Sequence, residues 1–317
     1  MAKYYYGTAG WSYKDWEGVV YPVHKKSGFH ALVFLAQYIN LIEVNSTFYR
    51  PPAAHISLSW IKKVENFPEF LFTVKLLQLF THDRKSYTQK DIDMFKLGIE
   101  PLRARQKLAA ILIQFPWSFA STTAHYEHLE SLFKAFAGFP LALEIRHSTW
   151  DSPQFYDFLR EHSVAYCNID QPVFRNSIKP SALATNSEFS YVRLHGRNYE
   201  NWFKKDAGRD ARYDYLYKAD ELNEWVKKIK ELGQNSKNVY VVTNNHYQGQ
   251  ALANSLQIKN MISDEKVDLP LSLLKKYPVL EEIISKIREG QLDLFGQDLS
   301  LPLPPGLPAS SDKGEKN

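Results

Sequence analysis

Cysteine is almost absent from this chain: Cys167 is the single one among 317 residues. An intrachain disulfide is therefore excluded, and the residue usage suits a reducing compartment. Cys167 lies in the apolar run AYCNID (165–170), where a thiol reads as a buried packing group rather than a nucleophile. Long apolar runs are missing too. No stretch approaches the ~18 apolar residues of a membrane helix, and MAKYYYGTAGW at the start has no apolar signal core. The expectation is a cytoplasmic protein with no membrane partner. An excess of one charge sign is also lacking: 39 Lys+Arg against 35 Asp+Glu give +4, which permits an anionic partner without demanding one. No glycine-rich turn follows the first apolar segment, which argues against the open doubly wound sheet. No HxH or HExxH spacing groups the histidines for a metal.

What the chain does have is a recurring pattern. In LIEVNSTFYRPP (41–52) a short apolar run stops and polar groups follow at once. Equivalent runs lie at 4–8, 70–75, 108–114, 141–145, 165–170, 191–195 and 239–243. Each is apolar on both faces, as parallel strands covered by helices are. Helix-length amphipathic segments at 29–38, 55–64, 91–103, 125–137, 152–162, 220–231 and 250–262 separate most of them, with Asp91 and Ser152 placed as N-caps. Eight strands alternating with helices predict an α/β fold, a single-domain TIM-type (β/α)8 barrel over residues 1–262. The sixth connection, 171–188, holds Pro172 and Pro180 and no helical period, so an irregular link is expected there. Residues 263–290 read as a helical extension with one helix over 273–288. The tail 291–317, rich in proline and small polar residues, reads as disordered.

In such barrels the active site lies at the carboxyl ends of the strands. Those ends carry Trp11, Glu43 with Asn45, Lys75, Gln114, Glu144 with Arg146 and His147, Asp170, Arg193 with His195, and Asn244 with Asn245. Any one of these alone is more often a cap or salt-bridge partner. Their concentration at one mouth is a stronger signal, because buried charge is costly unless it is paired or used.

Three chemistries fit. Arg146, Arg193 and Lys75 suit a phosphate or carboxylate, with Trp11, Asn45, Gln114, His147, Asn244 and Asn245 as further substrate contacts. Glu43 and Glu144, with His195, suit proton transfer in a hydrolysis, Asp170 orienting; as a glutamate pair they would also suit a sugar hydrolase. Glu144, His147, Asp170, His195 and His246 supply metal donors, but their spacing does not support a site, so no cofactor is assigned. The loop 193–212 interleaves Arg197, Lys204 and Lys205 with Tyr199, Trp202 and Phe203. That composition suits a nucleic acid, and equally a solvated loop.

Several blocks are distinctive. GTAGWSYKDWEGVVYP (7–22), IEVNSTFYRPP (42–52), FTVKLLQLFTH (72–82), ILIQFPWSF (111–119), LEIRHSTW (143–150), YVRLHGR (191–197) and VYVVTNNHYQGQALANSLQI (239–258) resemble, in order over about residues 4–262, the YecE-like family, known as domain of unknown function 72. The resemblance implies a TIM-type barrel and brings no settled activity with it. That fold is similar to endonuclease IV-like barrels, which cleave DNA with a metal cluster, but their histidine-rich ligand set is not evident here. Thr243 stands where family members often have Phe. In the tail, QLDLF (291–295) resembles the peptide with which bacterial polymerases and repair proteins dock on the replicative sliding clamp. Leu292, Leu294 and Phe295 would enter apolar pockets and Gln291 would bond at the rim; packing of this segment on the chain's own barrel is the alternative. Together these features point to a phosphate-bearing substrate, with DNA as one candidate, and to a non-enzymatic clamp-and-DNA adaptor as the other reading.

Overall fold

The structure, a computed structural model, describes residues 2–83, 87–204 and 208–287. Eight strands close a parallel barrel in chain order: β1 (Lys3–Ala9), β2 (Leu41–Val44), β3 (Leu71–Lys75), β4 (Leu108–Gln114), β5 (Leu141–Glu144), β6 (Ala165–Asp170), β7 (Phe189–Leu194) and β8 (Asn238–Thr243). Closure is made by β1 against β8, in register from Lys3 with Asn238 to Thr8 with Thr243. The runs are short and buried on both faces because side chains alternate between the barrel interior and the surrounding helices. Gly7 on β1 is obligatory by contact: a Cβ there would lie 1.8 Å from the carbonyl oxygen of Leu41.

Helices follow at Ala31–Leu35, Ala54–Lys63, Gln89–Ala104, Thr123–Ala135, Pro153–Glu161, Ala219–Asn235 and Gln250–Ser263. The link between β6 and β7 carries no helix. Instead it is tied to the end of β5: Ser148 N donates to Asn176 O and Ile178 N donates to Arg146 O, both at 2.9 Å. The irregular segment thus fixes the backbone of Arg146. Ser152 caps its helix, accepting from Phe155 N.

Two expectations are corrected. Asp91 is not an N-cap; it is the third residue of its helix, and its carboxylate accepts from the N and Oγ of Thr88, each at 2.7 Å, in a capping box. The single helix expected over 273–288 is broken at Pro278, which cannot continue it. A helix at Leu271–Lys276 gives way to a 3-10 segment at Pro278–Ile283 and a strand, β10 (Ile284–Ile287), paired in parallel with β9 (Val267–Leu269). No helix among the described residues is long and apolar enough to cross a membrane. Lys205 and the peptide Gln291, Leu292, Leu294 and Phe295 lie outside the described residues.

Candidate active site at the barrel mouth

Alternate residues of four strands meet inside the barrel. Arg193 on β7 bridges two carboxylates: its Nη2 is 2.7 Å from Glu43 Oε1 on β2, and its Nη1 pairs with Glu144 Oε2 on β5. Arg146 holds the other oxygen of Glu144 through Nε at 2.8 Å and Nη2 at 2.7 Å. Tyr191, two residues before Arg193 on the same strand face, donates to Glu43 Oε2 at 2.9 Å, and its oxygen lies 2.8 Å from Thr73 Oγ. Glu43 and Glu144 are fully buried. Burial alone would raise the Glu144 carboxyl, but the Arg193 and Arg146 guanidiniums outweigh it and hold the group well below the usual carboxylate range. Burial likewise opposes the Arg193 charge, and Glu144 and Glu43 override it. The two glutamates therefore face a guanidinium rather than each other across an open space.

Above this floor lies a cavity of about 440 Å³, lined by Trp11, Tyr13, Asn45, Phe48, Lys75, Gln114, Arg146, Arg193, Tyr213 and Asn244, among others. Its walls are tied together by local bonds. Thr47 donates to Val44 O at 2.8 Å and to Lys75 O at 2.7 Å, which clamps the loop after β2 onto the end of β3 and aims Asn45 and Phe48 inward. On the far side, Trp16 Nε1 donates to His246 O at 2.7 Å, and the Tyr13 ring stacks on His246 at 4.5 Å, which joins the loops after β1 and β8. Gly10, at φ +98°, makes the turn that delivers Trp11. The indole of Trp202 covers Arg146, with the guanidinium 5.7 Å from its ring centre.

Lys75 differs from the other charged groups of the mouth. Its Nζ sits 4.0 Å from the centre of the Phe48 ring, and it makes no ion pair within 4.0 Å among the described residues. The groups that act on its charge come from three strands: Glu43 on β2, Glu144 and Arg146 at β5, and Arg193 on β7. Tyr13, Tyr49, Tyr213 and His246 stand around the same cavity. Burial, reinforced by the Arg193 charge, pulls the ammonium down to about 7. His195 is different again. Burial lowers it to about 3, so it stays neutral. Its Nδ1 accepts from the Asn244 amide at 2.9 Å, which leaves the proton on Nε2, 3.5 Å from Glu144 Oε1. It orients against the floor and does not line the cavity.

Strand parity separates the remaining candidates from this cavity. Cys167 feels the charges of Glu144, Arg193 and Glu43, so that parity of β6 faces inward and Asp170, three residues on, faces outward. There Asp170 accepts from Arg197 Nε at 2.9 Å, and Arg197 Nη1 reaches Glu221 at 3.1 Å. Burial raises the Asp170 carboxyl despite its bonds to Tyr217 and Arg197. Asn245 is likewise split from Asn244: its amide donates to Tyr215 O and Asn254 Oδ1, both at 2.8 Å, and secures the outer loop. His147 caps the 3-10 turn at Ser148–Trp150 and packs on Trp117. Trp202 is buried, Arg197 is held by carboxylates, and Lys204 is exposed. Among the described residues no group of three or more His, Cys, Asp or Glu is arranged to hold a metal. Sequence reasoning did not single out Tyr191, Thr73 or Tyr213. For the first two, the signal was their position two residues before Arg193 and Lys75.

Residues 5–277 match the family described as "Protein of unknown function DUF72". The chain is 31% identical to the UPF0759 protein YunF of Bacillus subtilis over 275 residues, 82% of this chain and 95% of that protein. It superposes on a crystal structure of a DUF72 family protein from Thermotoga maritima with a TM-score of 0.72 and 36% identity, over 82% of this chain and 99% of the other. A DUF72 family protein from Enterococcus faecalis gives the same TM-score at 25% identity, over 83% of this chain and 96% of the other.

Proposed function

The chain belongs to the DUF72 family of proteins of unknown function, and on that premise we propose that its barrel mouth binds a small phosphate- or carboxylate-bearing substrate and exchanges protons with it through Lys75. One observation carries this reading. Arg146, Arg193 and Lys75 converge on one cavity, and the two carboxylates beneath it are already matched by the two arginines. A protonated Lys75 is the surplus charge, and an anion in the cavity would balance it. Arg146, whose Nε and Nη2 hold Glu144, keeps its Nη1 for such an anion. The volume is that of a small-molecule pocket, and the rings of Trp11, Tyr13, Phe48 and Tyr213 suit a flat or sugar-like remainder of the ligand. Glu43 and Glu144, bound to guanidiniums, act here by holding Arg146 and Arg193 in place; a hydrolytic step would draw its proton transfer from Lys75.

Titration calorimetry with sulfate and inorganic phosphate tests this. Arg146→Gln is expected to weaken binding about tenfold or more, the worth of one charge-assisted hydrogen bond. Unchanged affinity in that variant, or no binding at millimolar anion by the wild type, overturns the reading.

The clamp reading rests on the sequence QLDLF alone. Retention on immobilised bacterial sliding clamp is expected for the full chain and lost in the double variant Leu294→Ala with Phe295→Ala. Equal retention of both, or of neither, removes the link.

A further inference from the structure

We propose that Lys75 is an imine-forming amine, condensing with the carbonyl carbon of a small aldehyde or ketone whose phosphate or carboxylate rests on Arg146 and Arg193. The proposal rests on the anion-binding reading above and adds a covalent step to it.

The argument starts from where this lysine was put. A lysine at a barrel mouth that merely neutralised charge would take a carboxylate partner, and two lie on the same floor. Both are instead held by Arg193 and Arg146. Lys75 is left over the Phe48 ring at 4.0 Å, with guanidiniums as its cationic neighbours. An apolar contact and like charges are the conditions that free an amine for attack. Burial and the Arg193 charge bring the group down to about 7, so amine and ammonium coexist near neutrality. The amides around it complete the site. Asn45 Oδ1 and Arg193 Nε are buried with no hydrogen-bond partner among the described residues, and Gln114 and Asn244 line the same cavity. A carbinolamine hydroxyl and a departing water both need such donors and acceptors.

The step balances without a further reagent. The lone pair of the neutral Lys75 amine forms an N–C bond to the carbonyl carbon, and the C=O π pair moves to oxygen, which takes a proton from the nitrogen. The carbinolamine then loses that oxygen as water, its second proton coming from the nitrogen, and the C=N bond forms. Amine plus carbonyl gives imine plus water.

Pyridoxal 5′-phosphate is a suitable probe, because it carries an aldehyde, a ring and a phosphate. The full-length protein is treated with it and then with borohydride, which delivers hydride to the imine carbon and fixes a secondary amine; the modified residue is found by peptide mass mapping. The expected result is modification at Lys75 ahead of every surface lysine, rising as pH passes upward through about 7. Sulfate should suppress it, and pyridoxal without phosphate should label Lys75 about tenfold less. Lys75→Met, checked for folding by circular dichroism, should lose the preferred site. Labelling spread evenly over surface lysines overturns the proposal. If sulfate binds by calorimetry while Lys75 stays unmodified, the covalent step fails and the anion site stands. Equal labelling of Lys75 by pyridoxal and its phosphate overturns the pairing of the carbonyl with an anion.

Discussion

Arg193→Met should be the most damaging substitution at the barrel mouth, lowering stability by about 3–5 kcal/mol, the usual result of breaking a buried ion pair from one side. The reason is geometric. Glu43 and Glu144 are fully buried, and among the described residues Arg193 is the one guanidinium that touches both. Without it Glu144 keeps Arg146, but Glu43 keeps, among the described residues, only the hydroxyl of Tyr191 as a hydrogen-bond donor. A carboxylate with one neutral donor inside a closed barrel must protonate or draw in water, and each outcome costs free energy. Methionine matches the stem of arginine closely enough that cavity formation is not the main term. Urea denaturation measures the loss, and the triple variant Glu43→Gln, Glu144→Gln, Arg193→Met separates charge from shape. If uncompensated charge is the cause, the triple variant recovers a large part of the loss. A single variant within about 1 kcal/mol of wild type would mean that the buried pair contributes little.

The fold was legible because the barrel needs no long-range guess. Short two-sided apolar runs at 41–44, 108–114 and 165–170 are strands in the structure with the same bounds, and the polar residues after them gather at one end. What a list of strand ends does not contain is parity. Glu144 and Arg146 sit two apart and point together; Asp170 falls on the other parity from Cys167 and meets Arg197, itself paired with Glu221, in the outer layer instead. Asn244 and Asn245 are adjacent, so only one can enter the lumen. A register argument from Arg193 backwards would have found Tyr191, and from Lys75 backwards Thr73. The pairing among charges was not legible at all. Glu43 and Glu144 are about a hundred residues apart in the chain, and no sequence spacing places Arg193 between them. Composition likewise showed a loop of arginines and rings at 193–204, but not that Trp202 would turn inward over Arg146 while Arg197 turned to its own carboxylates.

The anion affinity of the mouth should fall with rising pH, and Lys75 gives the sign. In the free protein the ammonium is held down to about 7 by burial first and by Arg193 second. A bound anion opposes both effects and raises the group, so binding and protonation are linked: the anion selects the ammonium form. Affinity is therefore full below about 7, where the free protein already carries the proton. Above it, each pH unit costs about tenfold until the raised value of the bound state is passed. Sulfate is the right ligand for the measurement because it stays dianionic throughout, whereas phosphate changes charge near neutrality. Calorimetry from about pH 6 to about pH 9 should show a loss approaching two orders of magnitude, with proton uptake visible as a dependence on buffer ionisation heat. Lys75→Met should bind more weakly at low pH and show no such slope. The trapping reaction runs the other way, since it consumes the free amine. One side chain would then produce two opposed pH profiles in the same protein, one for the anion and one for the carbonyl. A wild-type sulfate affinity that stays flat across that range would place the titrating group elsewhere and withdraw Lys75 from both roles.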